Sequence, residues 1–306
     1  MSYTSWIKSG IASTLGIPES SLDGGVDLDR NGRVEGEELL EDSNQNGELG
    51  DYRDWVVYYQ RKVRTRPEWN SHLGGIFRHA TGSPLSPDNP IHDDLGIESR
   101  VVSPGDTKTT YAKISRVLFD VRGRDFRTGG RLSPQEKLRS IYQAIRDSGF
   151  REGDREDPLL TTAVRDMEVD CDSAALIVLA VAHEMGWPVS LVLAPHHAFV
   201  RWEETGLRFN MDLLNWGTSL TDQEYVDRYS ITDQSLQNGV YLRSLDRDGL
   251  LGFALYRRGV VRINRINRQG DDKMVRAELL AAKRDITDAL ELDARNPFAM
   301  SDLAHI

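Results

Sequence analysis

The stretch CDSAALIVLAVAHEMG, residues 171–186, is apolar on almost every side and is closed by Gly186 and Pro188, which marks it as a helix buried all round. Such a helix needs a core large enough to surround it, and a chain of 306 residues with 39% hydrophobic content can bury one. The residues after Pro188 narrow the fold further. VSLVLAP and HHAFVRW are short strand-like runs, and HHAFVRW, EETG and LRFNMD read together as a hairpin. A buried helix feeding an antiparallel sheet is an α+β arrangement, not a doubly wound one.

Around this core the chain divides by composition. Residues 1–70 form an acidic, helix-flanked unit that opens on Trp6, Ile7, Ile11 and Leu15 and closes on the helical DYRDWVVYYQRKV. Residues 71–130 are a linker and a connecting helix. The linker, to about residue 108, is rich in Gly, Pro, Ser and Asp, and the helix comes next with Tyr111, Ile114, Leu118 and Val121 at helical spacing. The core, residues 131–265, begins after a GRDFRTGGR turn. Ser133 there is the N-cap of a helix, Pro134 its first residue and Glu136 the partner in a capping box. Residues 266–306 are a helical tail in which Asn296 and Pro297 cap and open a last helix. DALELDARNPFAMSDLA resembles one tetratricopeptide repeat unit; one unit cannot bury its faces alone, so a helical pair packed back on the core is expected.

Charge limits the partners. A net charge of −10 with no cluster of Lys and Arg disfavours nucleic acid, whose binding rests on cations neutralising phosphates. No run approaches the roughly 18 apolar residues of a membrane span, and MSYTSWIKSGIAST lacks the apolar stretch of a signal peptide, so the expected location is cytoplasmic. Oligomeric state has no signature in the sequence. A single cysteine excludes an intrachain disulfide and a multi-thiolate zinc site, leaving Cys171 as a small buried hydrophobe or a reactive thiol.

DLDRNGRVEGEE, residues 27–38, has the spacing of a twelve-residue EF-hand calcium loop. Asp27, Asp29 and Asn31 take the first three ligand positions, and Gly32 the sharp turn. The backbone carbonyl of Arg33 is next, then Glu35 through water and Glu38 as the bidentate ligand. Uncompensated, these carboxylates repel one another, so Ca2+ would also hold the loop together. A second loop, DSNQNGELGDYRD, offers Asp42, Asn44, Asn46 and Glu48 around Gly47. Arg53 stands where the closing carboxylate belongs, with Asp51 and Asp54 as the nearby substitutes.

Cys171 opens the buried helix, where unsatisfied backbone N–H groups favour a thiolate, while Glu168, Asp170 and Asp172 oppose it. His197 opens a strand and Asp212 ends the next, so base and orienting carboxylate meet across neighbouring strands. Asn210 shares the face of Asp212 and is the reserve orienting group. His196 points to the opposite face of the strand from His197.

DCDSAALIVLAVAHEMGWPV, HHAFVRW and FNMD, in that order, resemble the nucleophile helix, histidine strand and acid strand of the transglutaminase-like superfamily, whose fold is related to papain-like cysteine peptidases. With the continuation TDQEYVDRYSITDQSLQNGVYLRSLDRDGLLGFALYRRG, the likeness extends over roughly residues 131–306, as in bacterial members that lead into tetratricopeptide repeats. The resemblance implies Cys171 as nucleophile, His197 as general base and later acid, and Asp212 as orienting group, acting on a protein or peptide substrate. A papain-like enzyme has Gln a short way before the cysteine. Arg165 stands there in this chain, so the backbone N–H of Cys171 is the oxyanion donor left. The alternative is a catalytically inactive, calcium-responsive protein-interaction module.

Overall fold

The computed structural model describes residues 85–86, 88–212, 217–266 and 272–305, together with Ala12 and Leu22. Both calcium loops, and nearly all of residues 1–70, lie outside the described residues. The chain divides into two compact units. Among the described residues, Ala12, Leu22, 85–86 and 111–144 belong to one, and those of 87–110 and 145–306 to the other.

In the first unit, α2 (Pro104–Arg127), which begins in the other unit, buries Ile114, Val117, Leu118 and Val121, an i, i+3, i+4, i+7 stripe. Its helix outlasts the expected turn: GRDFR is helical, and the chain turns only at Thr128–Gly130, where Gly129 and Gly130 take positive φ. The next helix, α3 (Pro134–Asp147), starts on the Ser133 capping box. The Ser133 N–H donates to Glu136 Oε2 at 2.8 Å and the Glu136 N–H to Ser133 Oγ at 3.4 Å.

The second unit mixes helices with two small sheets and is α+β. Its first helix, α1 (Ile91–Glu98), lies inside the stretch expected to be loop. Tertiary partners hold it: the buried Glu98 accepts the first N–H groups of α4 (Leu160–Asp166), from Leu160 at 2.8 Å and Thr161 at 2.9 Å. Leu159, the N-cap of α4, offers no side-chain cap of its own. Strands β1 (Arg151–Glu152) and β2 (Glu168–Val169) pair in parallel on either side of α4.

The buried helix α5 (Cys171–Glu184) packs on an antiparallel sheet of β3 (Val189–Ala194), β4 (His197–Glu204) and β5 (Leu207–Met211), in that order. Strand β4 is buried from His197 through Trp202, covered on both faces. One face carries Val192, Ala194 and Phe199 onto Tyr225, Ile231 and Leu242. Tyr225 comes from α6 (Asp222–Tyr229), which starts on a Thr221–Glu224 capping box and leads into α7 (Asp233–Gln237).

The chain closes with α8 (Arg247–Ile266), α9 (Asp272–Leu292) and α10 (Pro297–Leu303), the last capped by Asn296. Gly252 and Gly259, about two turns apart on α8, let α9 approach. A Cβ at Gly252 would lie 2.9 Å from the Ala289 carbonyl, and one at Gly259 would lie 2.8 Å from the Ile286 side chain. No helix among the described residues is long and apolar enough to cross a membrane.

Candidate active site

Cys171 is the first residue of α5, and the helix end explains where its acidic neighbours go. Asp170 is the N-cap: its Oδ1 accepts the Ser173 N–H at 2.9 Å while its own N–H donates to Ser173 Oγ at 3.0 Å. That carboxylate is spent on the helix. Asp172 turns the other way and accepts the Cys171 thiol, Sγ to Oδ1 3.4 Å. Burial, then the charge of Asp172 and that of Asp170, push the thiol well above the usual thiol range, and the backbone N–H of Ala198, facing the sulfur, works against them.

Ala198 comes directly after His197 and lies beyond the last β4–β5 pair, Val200 with Met211, so the sulfur sits against the start of β4. The His197 imidazole is buried, and its Nε2 lies 2.8 Å from Asp212 Oδ2. Tyr225 donates its hydroxyl to the same oxygen at 3.1 Å. A carboxylate only accepts, so Nε2 is the donor, and in the neutral imidazole that leaves the lone pair on Nδ1. Rings stack around the imidazole, with centroids at 5.9 Å for Tyr229, 6.2 Å for Tyr225 and 6.4 Å for Phe199. Tyr229 is pushed up by burial and by the charges of Asp212 and Cys171, with Arg228 opposing, so its hydroxyl shares the field of the site.

Behind the cysteine lies a second charge cluster. The Asp172 carboxylate is pushed up to about 6 by burial and by Asp170, against the pull of Arg257, the Cys171 hydrogen bond and His197. Arg257, on α8, is fully buried. It pairs through Nη2 with Glu98 and with Asp94, the latter at 3.3 Å, while its Nε and Nη1 have no hydrogen-bond partner among the described residues.

Several expectations are corrected. Asn210 does share a face with Asp212, but it serves the buried Arg201. Arg201 Nε donates to Asn210 Oδ1 at 2.7 Å, and Asn210 Nδ2 donates to Asp222 at 2.6 Å and to the Leu220 carbonyl at 3.1 Å, so it does not orient the imidazole. His196 is not in the strand. It is exposed in the two-residue turn between β3 and β4, at φ 54°, after Pro195. Arg165 pairs with its neighbour Asp166 at 2.8 Å on an exposed face and offers nothing to the sulfur. Asp27, Asp29, Asn31, Arg33, Glu35, Glu38, Asp42, Asn44, Asn46 and Glu48 lie outside the described residues. Among those described, no group of three His, Cys, Asp or Glu side chains could hold a metal ion.

Sequence reasoning missed Tyr225, Tyr229 and Arg257. The Thr221–Glu224 capping box was a readable helix start, and it puts Tyr225 and Tyr229 on one face at i, i+4. Arg257 had no local signal.

No family model and no curated protein matches this chain. Among solved structures it is similar to menin, in a structure described as revealing the binding site for the Mixed Lineage Leukemia (MLL) protein. The TM-score is 0.34 and the identity 12%, over 83% of this chain and 65% of that one. A score that low bears on neither fold nor function.

Proposed function

We propose that this protein is a cysteine-dependent acyl-transfer enzyme of transglutaminase-like architecture, acting on an amide of a protein or peptide. The observation that carries this reading is the buried His197–Asp212 pair at 2.8 Å, with the sulfur of Cys171 held against the residue next to His197. Such a pair costs desolvation and contributes little to packing that an apolar pair would not, which favours a chemical use.

In the first step His197 Nδ1 takes the thiol proton, and the sulfur attacks the amide carbon. The charge on the carbonyl oxygen meets the N–H of Cys171, which has no carbonyl acceptor within its own helix. The C–N bond breaks as the imidazolium returns the proton to the leaving amine, giving a thioester. Water then attacks with His197 again as base, releasing the acid and restoring the thiol. Asp212 and Tyr225 act on the imidazole and hold its tautomer.

One observation favours a second reading, the inactive calcium-responsive interaction module: the thiol donates to Asp172 and is pushed up, the reverse of an activated cysteine. Alkylation separates the two. The enzyme reading expects iodoacetamide to label Cys171 in the native protein, with His197→Ala slowing the reaction at unchanged melting temperature. Native protein that stays unlabelled while denatured protein labels freely would overturn it.

Calcium binding at residues 27–38 is part of the proposal and rests on ligand spacing. Titration of Ca2+ into metal-stripped protein should give heat and raise the melting temperature. A flat titration with an unmoved melt would remove calcium from the proposal.

A further inference from the structure

Away from the cysteine, a cleft of about 590 Å³ opens between the start of α1, the C-terminal half of α5, the start of β3 and the start of α8. That volume lies in the range of small-molecule sites, roughly 300–1,000 Å³, and neither Cys171, His197 nor Asp212 lines it. Its walls are hydrocarbon, from Leu176 and Leu179 on α5 and Leu250 and Leu251 on α8. Its charges are mostly negative. On the rim, Asp93 pairs with the exposed Arg247 at 3.0 Å and Asp88 lies 3.6 Å from His183, while Asp246 caps the start of α8 through Gly249.

Deeper in, Asp94 is 6% exposed and accepts one hydrogen bond, from Arg257 Nη2 to its Oδ2 at 3.3 Å; its Oδ1 accepts none from the described residues and is open to the cavity. The shortage is built in. Arg257 bonds Glu98 more closely and also faces Asp172, and Glu98 has two backbone N–H donors besides. Asp94 is thus the carboxylate with the fewest protein donors. The basic side chains that share its cavity, Arg247 and His183, face Asp93 and Asp88 on the rim. Burial pushes Asp94 up to about 7, a shift that a bound cation would reverse.

We propose that this cleft binds a small amphiphilic ammonium, its hydrocarbon against the four leucines and its N–H groups on Asp94 Oδ1. The site does not depend on the acyl-transfer reading, since no group of that chemistry takes part. An anionic amphiphile of the same length meets four aspartates and is excluded.

The test is calorimetry of the full chain with n-octylammonium, n-octanol and octanoate at physiological salt, below their aggregation concentrations. Octylammonium should bind about tenfold or more tighter than octanol, the worth of one charge-assisted hydrogen bond, and octanoate should not compete. Asp94→Asn should erase the preference for the ammonium over the alcohol, and Leu251→Trp should block both probes without touching a charge. The proposal is overturned by absence of octylammonium binding, by octanol binding equally well, or by octylammonium binding undiminished in Leu251→Trp. Since Asp94→Asn disturbs the pairing of Arg257, its melting temperature is recorded; the wild-type probe comparison and Leu251→Trp decide the matter even if it unfolds.

Discussion

The Cys171 sulfur faces the backbone N–H of Ala198, the residue after His197, but the surroundings of the thiol and of the imidazole differ in sign. The imidazole has what a general base needs in place: a carboxylate on Nε2, a tyrosine steadying that carboxylate, and rings on its faces. The thiol has the reverse, a carboxylate accepting its hydrogen bond and a second one capping the helix beside it. A site with only a structural role has no need of the first half, and an active one at rest is not helped by the second. On the proposed reading the base is preassembled while the nucleophile is held back, first by burial and then by one side chain, Asp172, whose field is balanced by Arg257.

The largest effect should come from removing that balance. Arg257→Met leaves Glu98, Asp94 and Asp172 buried without their cation, and breaking a buried ion pair from one side costs about 3–5 kcal/mol. Urea unfolding of the variant should show a loss of that size; a loss under about 1 kcal/mol would mean that the cluster is open to water and restrains nothing. Asp212→Ala comes next. It strips the partner from a buried imidazole and from Tyr225 and should cost about 1–3 kcal/mol while slowing alkylation of Cys171. Tyr225→Phe, which leaves the His197 bond intact, should cost about 1 kcal/mol and change alkylation little. Equal effects of the two on alkylation would break the distinction between the group that orients the base and the group that supports it.

The preassembled half was far more legible in the sequence than the restraint. The buried helix, the hairpin and the Ser133 and Asn296 caps depend on local periodicity and on residues within a turn of one another, and they appear where the pattern puts them. Helix α1 was not legible: IHDDLGIE sits among Pro, Gly and Asp, and what holds it is Glu98 capping α4 and Arg257 far along the chain. In the site, residue order pointed to Cys171, His197 and Asp212. Period-two alternation could not choose between Asn210 and Asp212, which share a face; Arg201, opposite Asn210 in the ladder, decided it. Nor could the sequence say which flanking aspartate faces the sulfur, because that depends on one being taken by the cap.

The restraint itself is tested by Asp172→Asn. The substitution keeps the shape and removes the charge, so the thiol should fall toward its ordinary range, and each unit of fall raises the thiolate fraction tenfold. Alkylation at pH 8 should therefore quicken by about tenfold relative to the wild type. Asp170→Asn should do less, because asparagine caps as well as aspartate and the lost charge ranks below that of Asp172 among the causes. If Asp170→Asn were the more reactive of the two, the restraint would belong to the cap.

The smallest effect is on stability against pH, and its sign distinguishes a restraining carboxylate from an ordinary paired one. A paired carboxylate is held down in the folded state and stabilises above its unfolded value. Asp172 is pushed up, to about 6, mainly by burial, against an unfolded value of about 3.9. Between those values the native protein holds a proton that the unfolded chain has released, so the contribution of Asp172 to stability falls as pH rises through that window and is flat above it. Asp172→Asn has no proton to hold. Its melting temperature should decline less than that of the wild type between about pH 4 and 6, by about 2 °C, a difference on the order of 1 kcal/mol. Other titrating groups, Asp94 among them, are common to both proteins and cancel in the comparison to first order. Parallel curves would mean that Asp172 ionises as freely as a solvated carboxylate, and the restraint on Cys171 would then have to lie in burial alone.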